Sequence, residues 1–167
     1  VPPTLLISSI SVMDDVTKAV SLDPKFAGDL VYVLGETKNE LGGSEYFTHL
    51  GHVGNTVPQV DADKAIELYR KYQEAIDQRL ISSSLSPSIG GMGMTLAKKA
   101  IAGQLGMAID LTKVPKSDDL DREDFMLFSE TQSRFIVTIA PQNKEKFEAL
   151  MEGSVFAQIG EMTESKD

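Results

Sequence analysis

The sequence has no cysteine and only two histidines. Without thiols, disulfide bonds and thiolate metal sites are excluded. His49 and His52 lie three residues apart among glycines, but no third residue with a metal-binding pattern stands near them in the sequence. The composition therefore argues against a transition-metal centre, and we predict no metal ligand in this chain.

Long hydrophobic runs and excess positive charge are also missing. No run is long enough to cross a bilayer and no signal peptide is recognisable, so we expect no membrane partner and a cytoplasmic location. Sixteen Lys and Arg stand against 25 Asp and Glu, a net charge of −9. Because nucleic-acid binding depends on clustered basic side chains, this balance argues against a nucleic-acid partner. A phosphorylated ligand would need local contacts, from backbone amides, one or two basic side chains, or Mg²⁺.

The residues that are present suit one globular domain. The chain has 167 residues, of which 41% are hydrophobic and 25% charged. This is long enough to bury a core of its own. We therefore expect a single domain over residues 1–167. The start at Val1-Pro2-Pro3, without an initiator methionine, suggests that the domain is a fragment of a longer chain.

Hydrophobic periodicity predicts alternating helices and strands. The apolar run Leu30–Leu34 is typical of a central strand covered on both faces. Because the connections between the first strands are too short for repeated β-α-β units, the predicted fold class is α+β, a single mixed β-sheet with helices packed on its faces. The other predicted elements are a first strand over 5–12, a short helix over 14–20, a helix capped by Ser44 through residue 50, a helix capped by Asp61 with the buried stripe Ala62, Ala65, Ile66, Tyr69, Gln73, Ile76 and Leu80, a helix burying Ile89, Met92, Leu96, Ala97 and Ala100, a strand over 107–111, a short helix over 122–128, the strand Phe135–Ile139, a helix over 141–151, and a strand over 155–159 before a frayed acidic tail.

The stretch with the strongest chemical suggestion is the glycine junction, residues 88–93, which contains Ser88, Gly90, Gly91 and Gly93. Glycines at a strand-to-helix junction let backbone N–H groups approach a ligand, and a helix N-terminus favours an anion such as a phosphate. The spacing matches neither the dinucleotide-binding nor the P-loop pattern. Two interpretations stay open: a phosphate cradle, or a tight turn with close helix–sheet packing.

Two other polar segments are candidates for the same site. Gly42, Gly43 and Ser44, here the Gly-Gly-Ser loop, form either a turn needing positive φ or a second backbone-amide rim of a ligand cleft. The 130–134 turn either binds a polar ligand or is a surface turn in which Arg134 pairs with a carboxylate. We predict no catalytic residue. The predicted nucleotide- or phosphate-binding residues are Ser88, Gly90, Gly91, Gly93, Gly42, Gly43 and Ser44, and the predicted substrate-binding residues are Glu130, Thr131, Gln132 and Arg134.

Five segments, in order and spacing, resemble a known family. They are residues 4–8, 28–35, 40–46, 100–103 and 128–135, and they cover nearly the whole chain. The most specific are Leu-Gly-Gly-Ser-Glu-Tyr at 41–46 and Phe-Ser-Glu-Thr-Gln-Ser-Arg-Phe at 128–135. Together they resemble the C-terminal AIR synthase-related domain of phosphoribosylformylglycinamidine synthases, in the second of that enzyme's two homologous halves.

The resemblance implies a ligase of de novo purine biosynthesis. Such an enzyme converts formylglycinamide ribonucleotide to the amidine with ATP, Mg²⁺ and ammonia from a glutamine amidotransferase partner. ATP phosphorylates the amide oxygen and ammonia displaces phosphate. The family's ATP-binding side chains lie chiefly on the N-terminal domain of each half, so this domain would supply one wall of the cleft. The implied partners are that N-terminal domain, the sister half and the amidotransferase.

One departure from the family pattern bears on the role of this domain. Where the second half usually reads His-Asp-Val-Ser-Asp-Gly-Gly, this chain has Ser84-Leu85-Ser86-Pro87-Ser88-Ile89-Gly90-Gly91. The imidazole and both carboxylates are replaced, while backbone contact to a phosphate needs only the glycines. Two alternatives stay open: a non-catalytic structural or regulatory packing domain, and the equivalent domain of another ATP-dependent enzyme of this superfamily. We expect the isolated fragment to be inactive and to self-associate.

Overall fold

The computed structural model describes residues 5–165, and the structural statements below concern this part of the chain. Five strands form one sheet in the order β2-β4-β1-β5-β3, with antiparallel pairing throughout. Three short 3₁₀ segments occupy Val16–Lys18, Leu111–Lys113 and Pro141–Asn143. The strands are β1 (Leu30–Leu34), β2 (Ser83–Leu85), β3 (Gly106–Ile109), β4 (Phe135–Ile139) and β5 (Phe156–Thr163), and the helices are α1 (Glu45–His49), α2 (Ala62–Asp77), α3 (Gly91–Gly103), α4 (Glu123–Phe128) and α5 (Lys144–Met151).

Strand β1 lies at the centre of the sheet, as its apolar sequence predicts. Side chains alternate across a strand, and here both sets are buried. Val31 and Val33 face a core formed with α3 and α4, while Tyr32 and Leu34 face a second core formed with α2 and α5. Helices therefore cover both faces, and the predicted α+β single sheet with helices on its faces is confirmed. The pairing of the five strands is antiparallel throughout rather than mixed as predicted.

The predicted first strand over residues 5–12 is wrong. Residues 5–13 have no regular secondary structure, and their apolar side chains lie in solvent, with Leu6 89% and Ile10 96% exposed. The segment is β-prone, but a strand also needs a partner edge, and no described strand pairs with it. Its first residues, Val1-Pro2-Pro3-Thr4, lie outside the described residues, as do the last two of the tail. The acidic tail is partly ordered, since β5 continues to Thr163.

The predicted buried stripes of α2 and α3 are only partly right. In α2 the inward side chains are Ala65, Leu68, Tyr72 and Ala75, while Ile66 and Tyr69 are exposed. Both sets have the three-four spacing of a helix face, so spacing alone does not select one. In α3 the buried residues include Thr95 and Lys99, whereas Ala97 and the preceding Ile89 are exposed.

Lys99 is a fully buried lysine without a carboxylate partner among residues 5–165. Its Nζ donates to Ser83 Oγ at 2.6 Å and to the Leu22 carbonyl at 3.1 Å. Ser83 Oγ in turn shares a hydrogen bond with Thr138 Oγ1 at 2.7 Å. Burial lowers the pKa of Lys99 to about 7, against a smaller opposing effect of the Asp23 charge. The polar network thus joins α3 to strands β2 and β4.

Replacing this lysine should change how stability depends on pH. Between pH 7 and 10.5 the unfolded chain binds a proton at Lys99 that the folded chain has released, so the free energy of unfolding rises with pH across this window. Lys99→Met removes the titration, together with two hydrogen bonds whose loss is independent of pH. The melting temperature of the variant minus that of the wild type should therefore fall as pH rises from 7 to 10.5. The exposed neighbour Lys98→Met should show a flat difference, and a flat difference for Lys99→Met would contradict the prediction.

The exposed opening segment also predicts self-association of the isolated domain. Contiguous apolar side chains in solvent are typical of surfaces that normally pack against another protein. Light scattering should therefore give a mean mass that increases with concentration. The double variant Leu6→Ser with Ile10→Ser should reduce that increase, whereas Val155→Ser, at a separate exposed apolar position, should not. A monomeric mass of the wild-type domain at every concentration would refute the prediction of self-association.

Candidate functional site

The three predicted segments meet where helices α1 and α3 begin. The contact between them is the carboxylate of Glu130. Its Oε1 accepts the backbone N–H of Gly90 at 2.9 Å and the backbone N–H of Glu45 at 3.0 Å. One side chain of the 130–134 turn thus joins the glycine junction to the residue that follows the Gly-Gly-Ser loop.

The Gly-Gly-Ser loop ends in a helix cap. Ser44 is buried, and its Oγ accepts the N–H of Phe47 at 3.2 Å, so the predicted cap of α1 is confirmed. The amides of Gly42 and Gly43 donate to the carbonyls of Thr56 and Val53. Gly43 has φ +72°, as the turn interpretation expects, and it is exposed. The hydroxyl and both amides are therefore already bonded within the chain.

The glycine junction packs closely against the end of α4. Gly91 has φ +62°, and a Cβ there would lie 2.5 Å from the Ser129 carbonyl oxygen and 2.7 Å from that of Leu127. Its N–H donates to the Ser88 carbonyl at 2.9 Å. At Gly93 a Cβ would lie 3.2 Å from the Phe128 ring. The geometry thus has the tight turn and close packing of the second interpretation, and phosphate binding at the same residues stays a prediction.

Arg134 is buried, with 1% of its surface exposed, so the interpretation of a surface turn with an arginine–carboxylate pair is wrong. Its guanidinium donates to the carbonyls of Ser129 (2.7 Å) and Thr131 (3.0 Å) and to Thr37 Oγ1 (2.8 Å). Desolvation lowers its pKa to about 10, against the opposing charge of Glu40. In this geometry Arg134 holds the turn from inside, and its contact with substrate stays a prediction.

Hydroxyl groups fix the same turn to the loop after β1. Ser129 Oγ donates to the Lys38 carbonyl at 2.6 Å, and the Lys38 N–H donates to Thr131 Oγ1 at 3.1 Å. Thr131 is buried, while Gln132 is exposed and its side-chain amide donates to the Glu130 carbonyl at 3.0 Å. Of the four predicted substrate-binding residues, Gln132 is thus the one most open to a ligand.

A cleft of about 360 Å³ lies beside Thr131 and Gln132, between the turn and the first half of α2. This volume is within the range of small-molecule sites. Sequence reasoning missed this cleft, because the charged residues of α2 have the pattern of an ordinary solvated face. Other residues that line the cleft include Glu36, Lys38, Gln59, Asp61, Lys64 and Glu67.

Within residues 5–165 no three His, Asp or Glu side chains come together as a metal-binding group. This finding concerns a metal ion held by the chain alone, because Mg²⁺ usually takes only one or two carboxylates together with substrate phosphates. In the same range no helix is long and apolar enough to span a membrane.

One antiparallel sheet with helices on both faces, and a glycine junction that opens α3, define a domain of the AIR synthase type. Residues 27–167 match the family described as AIR synthase related protein, C-terminal domain, and the chain belongs to this family. Its curated relatives are of the PurL type. It is 36% identical to phosphoribosylformylglycinamidine synthase subunit PurL of Methanocaldococcus jannaschii over 86% of this chain, and 37% identical to the subunit of the same name of Caldanaerobacter subterraneus over 99%.

Solved structures share the fold at low sequence identity. A structure of Thermotoga maritima PurL complexed with FGAR has a TM-score of 0.77 at 19% identity, covering 89% of this chain and 26% of that one. The hydrogenase maturation protein HypE of E. coli has a TM-score of 0.64 at 18% identity, covering 87% of this chain and 47% of its own. The chain spans only 20% and 22% of the length of the two curated relatives.

Proposed function

We propose that this chain is part of a phosphoribosylformylglycinamidine synthase and forms one wall of the cleft in which formylglycinamide ribonucleotide is amidated. The observation that carries the proposal is 36–37% identity, over most of the chain, to subunits that bear this name. In the proposed cytoplasmic enzyme, ATP phosphorylates the amide oxygen of the substrate. Ammonia then displaces this oxygen as phosphate.

The exposed parts of the site are proposed to face the ligands. Ser88 and Gly43 are exposed at the starts of the two helices, and Gly93 is partly exposed. Backbone at Ser88 and Gly93 suits a phosphate, whereas the Gly43 amide would first have to release the Val53 carbonyl. Gln132 borders the open cleft and suits a polar group of the substrate. From the family resemblance, we assign the binding of ATP and Mg²⁺ chiefly to the remainder of the parent protein.

The partners follow from the same assignment. Thermotoga maritima PurL has been solved in complexes with ATP, with ADP and as PurLQS. We propose that the parent protein of this chain likewise binds ATP and works with a glutamine amidotransferase. The exposed opening segment, residues 5–13, is proposed to pack against the N-terminal domain or the sister half.

The proposal predicts activity for the full-length protein and none for the isolated chain. The purified full-length protein, supplied with ammonia, should hydrolyse ATP only when formylglycinamide ribonucleotide is added. Residues 1–167 alone should show no such turnover, because we assign the binding of ATP and Mg²⁺ chiefly to the remainder of the parent protein. Full-length protein without substrate-dependent ATP hydrolysis would refute the function, and turnover by the isolated chain would refute the assignment of ATP to the rest of the protein.

A non-catalytic packing role is the second candidate. It is favoured by the amides of Gly42, Gly43, Gly90 and Gly91, all of which already have partners within the chain. If the domain only packs against its neighbours, substitutions at Gly43 and Gln132 in the full-length protein should leave the KM values for substrate and ATP unchanged. A several-fold rise in either KM would exclude this candidate.

A further inference from the structure

The Glu130 carboxylate connects two segments that lie far from it in the sequence. Its Oε1 accepts from Gly90 and from Glu45, residues that lie 40 and 85 positions away in the sequence. Each donor lies at the start of a helix, where N–H groups have no intrahelical partner and carry partial positive charge. An ionised acceptor makes such bonds stronger than neutral ones. One oxygen therefore fixes the distance between the starts of α1 and α3.

The side chain is held in place by the turn that carries it. Arg134 binds the carbonyls on both sides of Glu130, those of Ser129 and Thr131. The buried hydroxyl of Ser129 further ties the turn to the Lys38 carbonyl. The backbone at Glu130 is thus anchored on each side, so its carboxylate lies between the two helix starts without having to order a free loop.

We propose that Glu130 is a positioning residue. Its carboxylate serves as an internal anion for the starts of α1 and α3, and so sets the spacing between the Gly-Gly-Ser loop and the glycine junction. This inference rests on the proposed function, in which both segments face the substrate. It changes the predicted role of Glu130 from direct substrate contact to holding the residues that make that contact. A phosphate cannot use the Gly90 amide unless it displaces this carboxylate, so ligand contacts fall to the exposed neighbours.

The test uses the full-length protein with Glu130→Ala, Glu130→Gln and the control Glu123→Ala, an exposed glutamate of α4. Hydrogen exchange read by mass spectrometry should become faster in peptides covering both 42–47 and 88–93 in Glu130→Ala. Glu130→Gln keeps an accepting oxygen, so its exchange should lie between that of the alanine variant and the wild type. The KM for formylglycinamide ribonucleotide should rise about tenfold in Glu130→Ala, with kcat changed less than twofold and a partial return in Glu130→Gln. The control should match the wild type in all measurements.

Several results would overturn the inference. Unchanged exchange in either segment would mean that the carboxylate does not hold both helix starts. Faster exchange with an unchanged KM would mean that the connection is structural only. A fall in kcat at constant KM would point to contact with the reacting atoms instead. If Glu130→Ala does not fold, the glutamine variant gives the same comparisons. The proposed function is judged separately, by substrate-dependent ATP hydrolysis in the wild type, while exchange tests the connection whether or not that activity is found.

Discussion

Gly91→Ala is expected to lower the free energy of unfolding by about 2–5 kcal/mol. A non-glycine residue in the left-handed region costs about 1–2 kcal/mol, and overpacking costs about 1–3 kcal/mol more. Both apply at Gly91, which has φ +62° and carbonyl oxygens of Ser129 and Leu127 within 2.7 Å of a Cβ. For a domain of this size the melting temperature should fall by about 5–15 °C.

Gly43→Ala is the matched control for this substitution. Gly43 has φ +72°, but nothing lies within 4 Å of a Cβ there, so only the backbone term of about 1–2 kcal/mol applies. The difference between the two variants in denaturant unfolding measures the close packing of α3 against the end of α4. Equal losses of stability would mean that this packing contributes nothing. In the full-length protein, unchanged ligand affinity of a folded Gly91→Ala variant would count against phosphate binding at the junction.

The second large effect is expected at Arg134. Arg134→Met should lower the free energy of unfolding by about 3–5 kcal/mol, because three buried oxygens, those of Ser129, Thr131 and Thr37, lose their donors. An unsatisfied buried polar group costs about 1–3 kcal/mol, and the removal of a buried charge offsets part of the sum.

Two further variants give the Arg134 experiment its controls. Arg134→Lys keeps the charge but lacks the fork of donors that reaches two carbonyls at once, so it should recover less than half of the loss. Arg70→Met, on the exposed surface of α2, should change stability by less than about 0.5 kcal/mol. Urea unfolding curves of the three variants provide the measurement. A loss at Arg134→Met no larger than at Arg70→Met would show that the turn does not depend on this side chain.

The sequence predicted well those elements that have a strong local signal, such as an apolar run, an amphipathic repeat or a capping residue. Strand β1, the cap at Ser44 and the long helix α2 were predicted close to where the structure has them. Residues 5–12 were not, because an apolar pattern records β-propensity but not the presence of an edge to pair with. The burial of Lys99 could not be predicted either, since it depends on Ser83 and the Leu22 carbonyl, which come together only in the folded chain.

In the candidate site, too, one part could be predicted from the sequence and another could not. Its three segments were predicted from glycines, hydroxyls and an arginine at element boundaries, which are local signals. The arrangement of these segments was not, because the Glu130 connection joins residues that are far apart in sequence. The cleft beside α2 gave no signal at all. Lys38 and Gln59 have nothing in their local sequence to separate them from other surface residues, and only the fold brings them to Gln132.

The place of β1 in the sheet has a consequence for how the chain is made. Leu30 pairs with Ile139 on one side and with Glu161 on the other, so both neighbours of the central strand come from the last fifth of the sequence. During synthesis β1 leaves the ribosome long before either partner exists. Sheets that depend on such distant pairings fold slowly, and their apolar strands stay open to aggregation in the meantime. The nascent domain therefore cannot close its core until translation has passed Thr163, and until then the run Leu30–Leu34 is a segment that chaperones would be expected to bind.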